Sequence, residues 1–172
     1  KILLNIGSEH SFKNIGTIIR AMRYLENYIF IKVGDPVSKI NRSKNEELIR
    51  NFNLENKVFL LNKISQKRLY NLIYTSDIYI APSYSEGFGR TTIEAQMLNK
   101  KIICSNIPIN REILGKTASY VNNFNDPYSW YKKILNDKNK NNKSLYKQNY
   151  SRFLFKKKYN KYNKLLLKII RS

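Results

Sequence analysis

A chain of 172 residues, of which 42% are hydrophobic and 13% aromatic, can bury one core of ordinary size, so a single domain is expected. No apolar stretch reaches the roughly 18 to 20 residues that span a bilayer, and no basic leader precedes Lys1, so neither a transmembrane helix nor a secretory leader is expected. The single cysteine, Cys104, excludes an internal disulfide and a paired-cysteine metal site and favours a reducing, cytoplasmic setting.

The net charge of +20, from 32 basic against 12 acidic residues, makes binding to polyanions the first hypothesis to weigh. Lysine and asparagine are abundant along the whole chain, which indicates a compositional bias as much as a dedicated basic surface. A nucleic-acid-binding α/β module therefore stays an alternative. Lysines are concentrated towards the C-terminus, in residues 132–144 and 152–172, where they favour contact with an anionic membrane surface.

Short apolar strands alternate with segments of helical periodicity along the chain. This alternation predicts an α/β fold, a doubly wound parallel sheet of about six strands that is covered by helices on both faces. The predicted strands are residues 1–7, 28–34, 57–62, 77–83, 101–105 and, as a short edge strand, 119–122. The predicted helices are residues 15–25, 44–52, 65–76, 90–99 and 125–135. Ser65 and Asp126 are expected to cap two of these helices.

The sheet and its helices are predicted to occupy residues 1–136. Residues 137–172 begin as a Lys- and Asn-rich linker and continue as an amphipathic helix, which is expected to pack on the same domain or on a preceding one. Because Lys1 opens directly on an apolar run, we expect the chain to be cut from a longer protein.

The first loop of chemical interest is GSEHSFKN, residues 7–14, between the first predicted strand and its helix. In open parallel sheets, ligands bind where such loops lead from strands into helix N-termini. Gly7 permits a sharp exit from the strand, and Lys13 precedes free helical N–H groups that favour an anion. Lys13 therefore suits a diphosphate, although a solvated surface lysine is an equally common explanation. The loop matches neither a P-loop nor GxGxxG, so neither an NTPase nor a dehydrogenase is supported.

The strongest pattern is PSYSEGFGRTTIEAQ, residues 82–96. Gly87 and Gly89 allow the backbone to approach a ligand closely, and the following helix directs its N-terminal N–H groups to the same place. Glu86 lies in the loop, and Glu94 lies in the helix. Two carboxylates on either side of a set of free amides can bind hydroxyl groups on both sides of a phosphate, as a sugar nucleotide requires.

The string EGFGRTTIEA, residues 86–95, resembles the two-glutamate motif of the retaining glycosyltransferases of family 4. These enzymes have the GT-B fold, in which two Rossmann-like domains face each other. Other segments resemble the family in order and spacing, namely residues 7–14, 57–65, 77–83 and 101–114. The resemblance covers essentially the whole chain. It implies that the chain corresponds to the C-terminal, donor-binding domain and that an N-terminal acceptor domain is missing from it.

The resemblance implies a role for each matching residue. Glu86 would contact the donor sugar, and Glu94 would accept hydrogen bonds from the ribose hydroxyls. Lys13 would neutralise the diphosphate and stabilise it as a leaving group. The glycine loop would lie beside the sugar, the helix start beside the phosphates, and the end of the third strand beside the base. The implied donor-binding residues are Gly7, Ser8, Gly87, Phe88, Gly89, Arg90, Thr91, Thr92, Glu94, Asn62, Lys63 and Ile64.

Two positions depart from the family pattern. The family usually has an arginine directly after the glycine of the first loop, where it shares the diphosphate with the lysine, but this chain has Ser8. Asn62 stands where the family often has a glycine. The first departure bears on catalysis rather than on the fold.

The sequence therefore predicts transfer of a hexosyl unit from a nucleoside diphosphate sugar to a hydroxyl of an acceptor glycan, lipid or protein, with retention of configuration as the resemblance implies. No cofactor and no metal are expected, because no Asp-x-Asp pair is present to hold an ion at the diphosphate. Nucleic acid is not an expected partner. The expected setting is cytoplasmic, with a peripheral position at a membrane as an alternative. A non-catalytic sugar-nucleotide-binding domain at an anionic membrane surface is a further alternative function.

Overall fold

The computed structural model describes residues 1–137. Within this range six strands form one sheet: β1 Ile2–Ile6, β2 Ile29–Val33, β3 Val58–Leu61, β4 Ile78–Ala81, β5 Lys101–Ser105 and β6 Ser119–Val121. The α-helices of the same range are α1 Ile15–Ala21, α2 Lys39–Asn51, α3 Gln66–Thr75, α4 Arg90–Met97, α5 Pro108–Leu114 and α6 Pro127–Asn136. Strands and helices alternate from one end to the other, as the sequence predicted.

Neighbouring strands are parallel throughout, in the order β3-β2-β1-β4-β5-β6. The chain first builds the sheet outward from β1 to β3 and then returns to place β4 on the other side of β1. Such a reversal leaves a crevice at the carboxyl ends of β1 and β4, because the helices that follow these two strands, α1 and α4, pack on opposite faces of the sheet. The predicted doubly wound parallel sheet is confirmed, including the short edge strand β6.

Two apolar cores cover the two faces of the sheet. On one face α1, α2 and α6 pack over strand residues such as Leu3 and Ile80, and on the other face α3, α4 and α5 pack over Leu4 and Tyr79. Consecutive residues of one strand enter opposite cores because successive side chains of a strand point to opposite faces. Burial on both faces explains why these strands are nearly continuous apolar runs and why Cys104 is fully buried.

Helix boundaries follow their local signals. Ser65 caps α3, and Asp126 caps α6 by accepting hydrogen bonds from two backbone N–H groups of the first turn, so both predicted caps are confirmed. Helix α2 begins earlier than the predicted 44–52 because the Ser38 side chain accepts a hydrogen bond from the Asn41 N–H group and caps the helix there. Helix α5 was not among the predicted elements, since its seven residues are too few for a clear apolar period.

The residue that follows α6, Asp137, binds side chains of β5 and β6 at one edge of the sheet. Asp137 accepts a hydrogen bond from Ser119 Oγ at 2.6 Å and pairs with Lys101 Nζ at 3.0 Å. The linker and amphipathic helix predicted for residues 137–172 lie outside the described residues apart from Asp137. In the part of the chain that the structure describes, no helix has the length and apolar character needed to cross a membrane.

Candidate functional site

The loops after β1 and β4 meet at the switch point of the sheet. Lys13 Nζ lies 2.6 Å from Glu86 Oε1, and the Tyr84 N–H group donates to the Phe12 carbonyl at 2.8 Å. The side chains of Lys13 and Glu86 are only 17% and 13% exposed, so their charges are poorly screened by solvent. The structure thus brings together a lysine and a glutamate that belong to two loops far apart in the sequence.

Glu86 is held by one of its two carboxylate oxygens. Ser83 Oγ donates to Oε1 at 2.6 Å, so this oxygen receives both the serine hydroxyl and the Lys13 ammonium. Among residues 1–137, no hydrogen bond or ion pair engages the other oxygen, Oε2. A carboxylate that is fixed at one oxygen and open at the other can accept hydrogen bonds from a ligand hydroxyl without reorienting.

Glu94 lies in α4, the helix that follows the Glu86 loop, and the charges of both glutamates act on a buried tyrosine. Tyr79 is 1% exposed, and its hydroxyl donates to Thr91 Oγ1 at 2.8 Å, which in turn donates to the Ile6 carbonyl at 3.2 Å. Burial raises the pKa of Tyr79 well above its ordinary value, and the charges of Glu86 and Glu94 raise it further. The tyrosine therefore stays a protonated donor that ties the start of α4 to the end of β1.

The glycine loop leads into α4 through a left-handed residue. Gly89 has a φ of +62° and its carbonyl accepts hydrogen bonds from the N–H groups of Thr92 and Ile93. Thr92 is buried, whereas Gly87, Phe88 and Arg90 are exposed at the surface of the loop. In the first turn, the N–H groups of Arg90 and Thr91 have no hydrogen-bond partner within the described residues. Free N–H groups at a helix start are suited to an anion.

The segment after β3 is joined to the first loop indirectly. Asn62 Oδ1 accepts a hydrogen bond from Arg42 Nη2 at 3.2 Å, and the Lys63 N–H group donates to Asp35 Oδ1 at 2.9 Å. The Asp35 carbonyl also accepts from the Glu9 N–H group at 3.1 Å. Ile64 packs partly into the core, while Asn62 and Lys63 are exposed. No hydrogen bond or ion pair among residues 1–137 joins Asn62, Lys63 or Ile64 directly to Lys13 or Glu86.

A buried ionic cluster under the first loop was not predicted. Glu9 Oε1 lies 2.7 Å from Arg42 Nη2 and 3.8 Å from Lys32 Nζ, and the side chains of Glu9 and Lys32 are 1% and 0% exposed. Lys32 Nζ also donates to the carbonyls of Gly7 and, at 3.3 Å, Gly34. The sequence held one signal, a lysine inside the buried strand YIFIKVG, because a charge in a strand covered on both faces must find partners.

Gly34 makes room for the first loop. It has a φ of +133°, and a Cβ atom at this position would lie 2.0 Å from the Gly7 carbonyl oxygen. The turn after β2 and the loop after β1 therefore pass each other in backbone contact, which only a glycine at position 34 permits.

Burial lowers the pKa of Lys32 to about 8, with Glu9 opposing the effect and Arg42 adding to it. We expect the free energy of unfolding of the wild type, relative to Lys32→Met, to rise as the pH increases from 8 to 10.5. In this window the unfolded chain, with the ordinary lysine pKa of 10.5, binds more protons than the native state. The cost of burying the charge is fully present below pH 8 and is relieved above it. Urea unfolding of both proteins at several pH values measures this difference, and a difference that does not change with pH contradicts the expectation.

The strand order and the crevice at its reversal define a Rossmann-like α/β domain. The motif at that crevice, with Glu86 in the loop and Glu94 in α4, resembles that of GT-B glycosyltransferases. Residues 1–152 match the family model described as Glycosyl transferases group 1. The chain belongs to this family.

Individual relatives agree with the family and the fold. The O-antigen chain mannosyltransferase RfbU of Salmonella typhimurium is 35% identical over 91 residues, which cover 53% of this chain and 26% of the relative. A glycosyltransferase structure from Rickettsia africae has 28% identity and a TM-score of 0.66 and covers 88% of this chain and 41% of its own. The Anabaena protein HepE in complex with UDP-glucose has the same fold, with 16% identity, a TM-score of 0.75 and coverage of 99% and 48%. The chain spans only 26% to 31% of the length of the curated relatives it matches.

Proposed function

We propose that this chain is the donor-binding domain of an enzyme that transfers a hexosyl unit from a nucleoside diphosphate sugar to an acceptor hydroxyl. The observation that carries the proposal is the 2.6 Å pair of Lys13 and Glu86 at the switch point, with Glu94 in the helix that follows the Glu86 loop. Membership of the glycosyl transferase family supports the reaction class. The mannosyltransferase relative and the UDP-glucose complex of HepE support a nucleotide sugar as the donor.

Lys13 and Glu86 change partners when a donor binds, in this proposal. A diphosphate offers the Lys13 ammonium two negative charges in place of one carboxylate, and the ion pair therefore opens. Glu86, still held by Ser83, is then free to accept hydrogen bonds from the hydroxyls of the donor sugar. As the bond between sugar and phosphate breaks, negative charge grows on the leaving diphosphate, and the Lys13 ammonium stabilises it.

The start of α4 and Glu94 extend this site along the donor. The Thr91 hydroxyl is engaged with Ile6 and Tyr79, so we expect the helix start to meet the phosphates through the backbone N–H groups of Arg90 and Thr91. Glu94 accepts hydrogen bonds from the ribose hydroxyls. Asn62, Lys63 and Ile64 remain the proposed contacts of the base. Retention of configuration and the hexosyl nature of the transferred unit rest on the resemblance to family 4.

The acceptor site is proposed to belong to a separate N-terminal domain, because the chain spans under a third of its curated relatives. The acceptor itself is a hydroxyl of a glycan, lipid or protein. No metal is proposed at the diphosphate, since the sequence has no Asp-x-Asp pair. A cytoplasmic position at a membrane surface also stays a proposal, with the lysine-rich residues 152–172 as its basis.

Calorimetric titration with sugar nucleotides of uridine, guanosine and adenosine diphosphate tests the proposed function. One of them is expected to bind, and Glu94→Ala is expected to weaken that binding by about tenfold or more, because it removes charge-assisted hydrogen bonds to the ribose. Glu47→Ala, which removes an exposed glutamate of α2, is the matched control and should leave the affinity unchanged. If none of these nucleotides binds, or if Glu94→Ala binds as the wild type does, the proposed function is wrong.

The net charge of +20 favours one alternative, a nucleic-acid-binding module. That function predicts binding to random DNA or RNA with a steep dependence on salt concentration, and it gives the Lys13–Glu86 pair no role. Filter binding at several salt concentrations distinguishes the two functions. The membrane alternative is tested separately, by vesicle co-sedimentation of the full chain and of a chain ending at Asp137.

A further inference from the structure

Lys32 is a fully buried charge whose position core packing does not explain. An ammonium group without solvent is costly unless it is paired and hydrogen-bonded. Its ion-pair partner Glu9 is shared with Arg42, which lies closer, at 2.7 Å against 3.8 Å. The direct hydrogen bonds of the ammonium go instead to two backbone carbonyls, those of Gly7 and Gly34. Lys32 therefore acts chiefly on the backbone of the first loop.

The carbonyl that Lys32 binds fixes the direction of the peptide between Gly7 and Ser8. The Gly7 carbonyl points towards Gly34, at the end of β2, because its oxygen lies 2.0 Å from the Cβ position of Gly34. In a trans peptide the N–H group points opposite to the carbonyl, and the described residues contain no cis peptide. Since β2 and β4 flank β1 on opposite sides, the Ser8 N–H group points towards β4, into the crevice.

The Ser8 N–H group is a free donor beside the charged pair. Within residues 1–137 Ser8 makes no hydrogen bond. The N–H groups of its two neighbours are engaged, since that of Gly7 donates to the Val33 carbonyl and that of Glu9 donates to the Asp35 carbonyl. Lys13 lies beside Gly7, with its Cε and Nζ atoms 3.8 Å and 4.0 Å from the Cβ position of that residue. An anion bound to the Lys13 ammonium is therefore close to the Ser8 N–H group. A cation on the carbonyl also strengthens the donor at the other end of the same peptide.

We propose that Lys32 is a positioning residue that, through the Gly7 carbonyl, presents the Ser8 N–H group to the diphosphate of the donor. This inference rests on the proposed function and deepens it, because it assigns an anion contact to the backbone of the first loop, at the position where the uncharged Ser8 side chain cannot supply the positive charge of an arginine. Lys32 itself touches no substrate. It acts only through the orientation and polarisation of one peptide.

Four charged groups besides the substrate act on Lys32. Glu9 from the first loop and Asp35 after β2 favour its charged form, whereas Arg42 of α2 and Lys13 oppose it. Replacing Lys32 by methionine leaves Glu9 paired with Arg42, so the variant does not leave a buried carboxylate unpaired. For this reason Lys32→Met is expected to fold.

Inorganic pyrophosphate is the probe, because it carries the diphosphate charge without base or sugar. We expect the wild type to bind it with a large change in the Ser8 amide chemical shift. Lys32→Met is expected to bind it about tenfold more weakly or worse and to lose most of the Ser8 response. Lys101→Met is the matched control, because it removes another ion-paired strand lysine at the far side of the sheet. This variant should keep the wild-type affinity for pyrophosphate and the change in the Ser8 amide chemical shift. Equal affinity of Lys32→Met and wild type would overturn the inference.

The wild type alone provides a second measurement that does not require the variant to fold. As the pH rises through about 8, Lys32 loses its proton, so the Gly7 carbonyl ¹³C shift and the pyrophosphate affinity should change together. A Gly7 carbonyl that does not titrate near this pH overturns the inference. If nucleoside diphosphates bind but the Ser8 amide does not respond, the positioning role fails alone. If neither pyrophosphate nor any nucleoside diphosphate binds, the proposed function fails with it.

Discussion

Lys13→Met is expected to lower the affinity for nucleoside diphosphates by about a thousandfold, equivalent to about 4 kcal/mol. The variant removes the cation that faces the diphosphate and leaves Glu86 at the same place without its counter-charge, so attraction is replaced by repulsion. Because both side chains are less than one-fifth exposed, solvent screens this change only weakly. Isothermal calorimetry with the nucleotide that binds the wild type measures the loss.

A double-mutant cycle separates the two effects of this substitution. Lys13→Met combined with Glu86→Gln removes the repulsion as well as the attraction, so it is expected to bind more tightly than Lys13→Met alone. Lys67→Met, at an exposed position of α3, controls for the general loss of one positive charge from a chain of net charge +20. An affinity of Lys13→Met within about threefold of the Lys67→Met value would contradict a diphosphate at Lys13.

The pairing of Lys13 with Glu86 was within reach of the sequence. Each residue lies in a loop that follows an apolar strand and precedes a helical segment, and such loops share one edge of a parallel sheet. Two strands whose loops carry phosphate-binding chemistry are expected at the switch point, where β1 and β4 in fact lie side by side. The roles of the individual site residues stay predictions.

The cluster of Glu9, Lys32 and Arg42 could not be predicted, because its members come from a loop, a strand and a helix with no shared spacing. A lysine in an apolar strand indicates only that a partner exists, and identifying it requires the packing of α2 against the first loop. The contact between Gly34 and the Gly7 carbonyl could not be predicted from the sequence for the same reason. Glycine after a strand is common, and only coordinates show a second backbone within 2.0 Å of its Cβ position.

Gly34→Ala is expected to lower the free energy of unfolding by about 4 kcal/mol. An added Cβ would lie 2.0 Å from the carbonyl oxygen of Gly7, and this neighbour is backbone, which cannot rotate aside as a side chain can. The φ of +133° adds strain of its own for any residue with a side chain. Urea unfolding of the variant and the wild type measures the loss, and amide spectra report whether the first loop has moved.

Gly115→Ala is the matched control, since Gly115 also has a positive φ, +51°, but its Cβ position has no atom within 4 Å. This variant should lose only the strain of the backbone, about 1 to 3 kcal/mol. The excess loss in Gly34→Ala then measures the clash with Gly7. Because relief of that clash must displace the Gly7 carbonyl from Lys32 and rotate the Ser8 N–H group, Gly34→Ala should also weaken pyrophosphate binding, whereas Gly115→Ala should not. Equal stability losses in the two variants would show that the two loops are not held in backbone contact in solution.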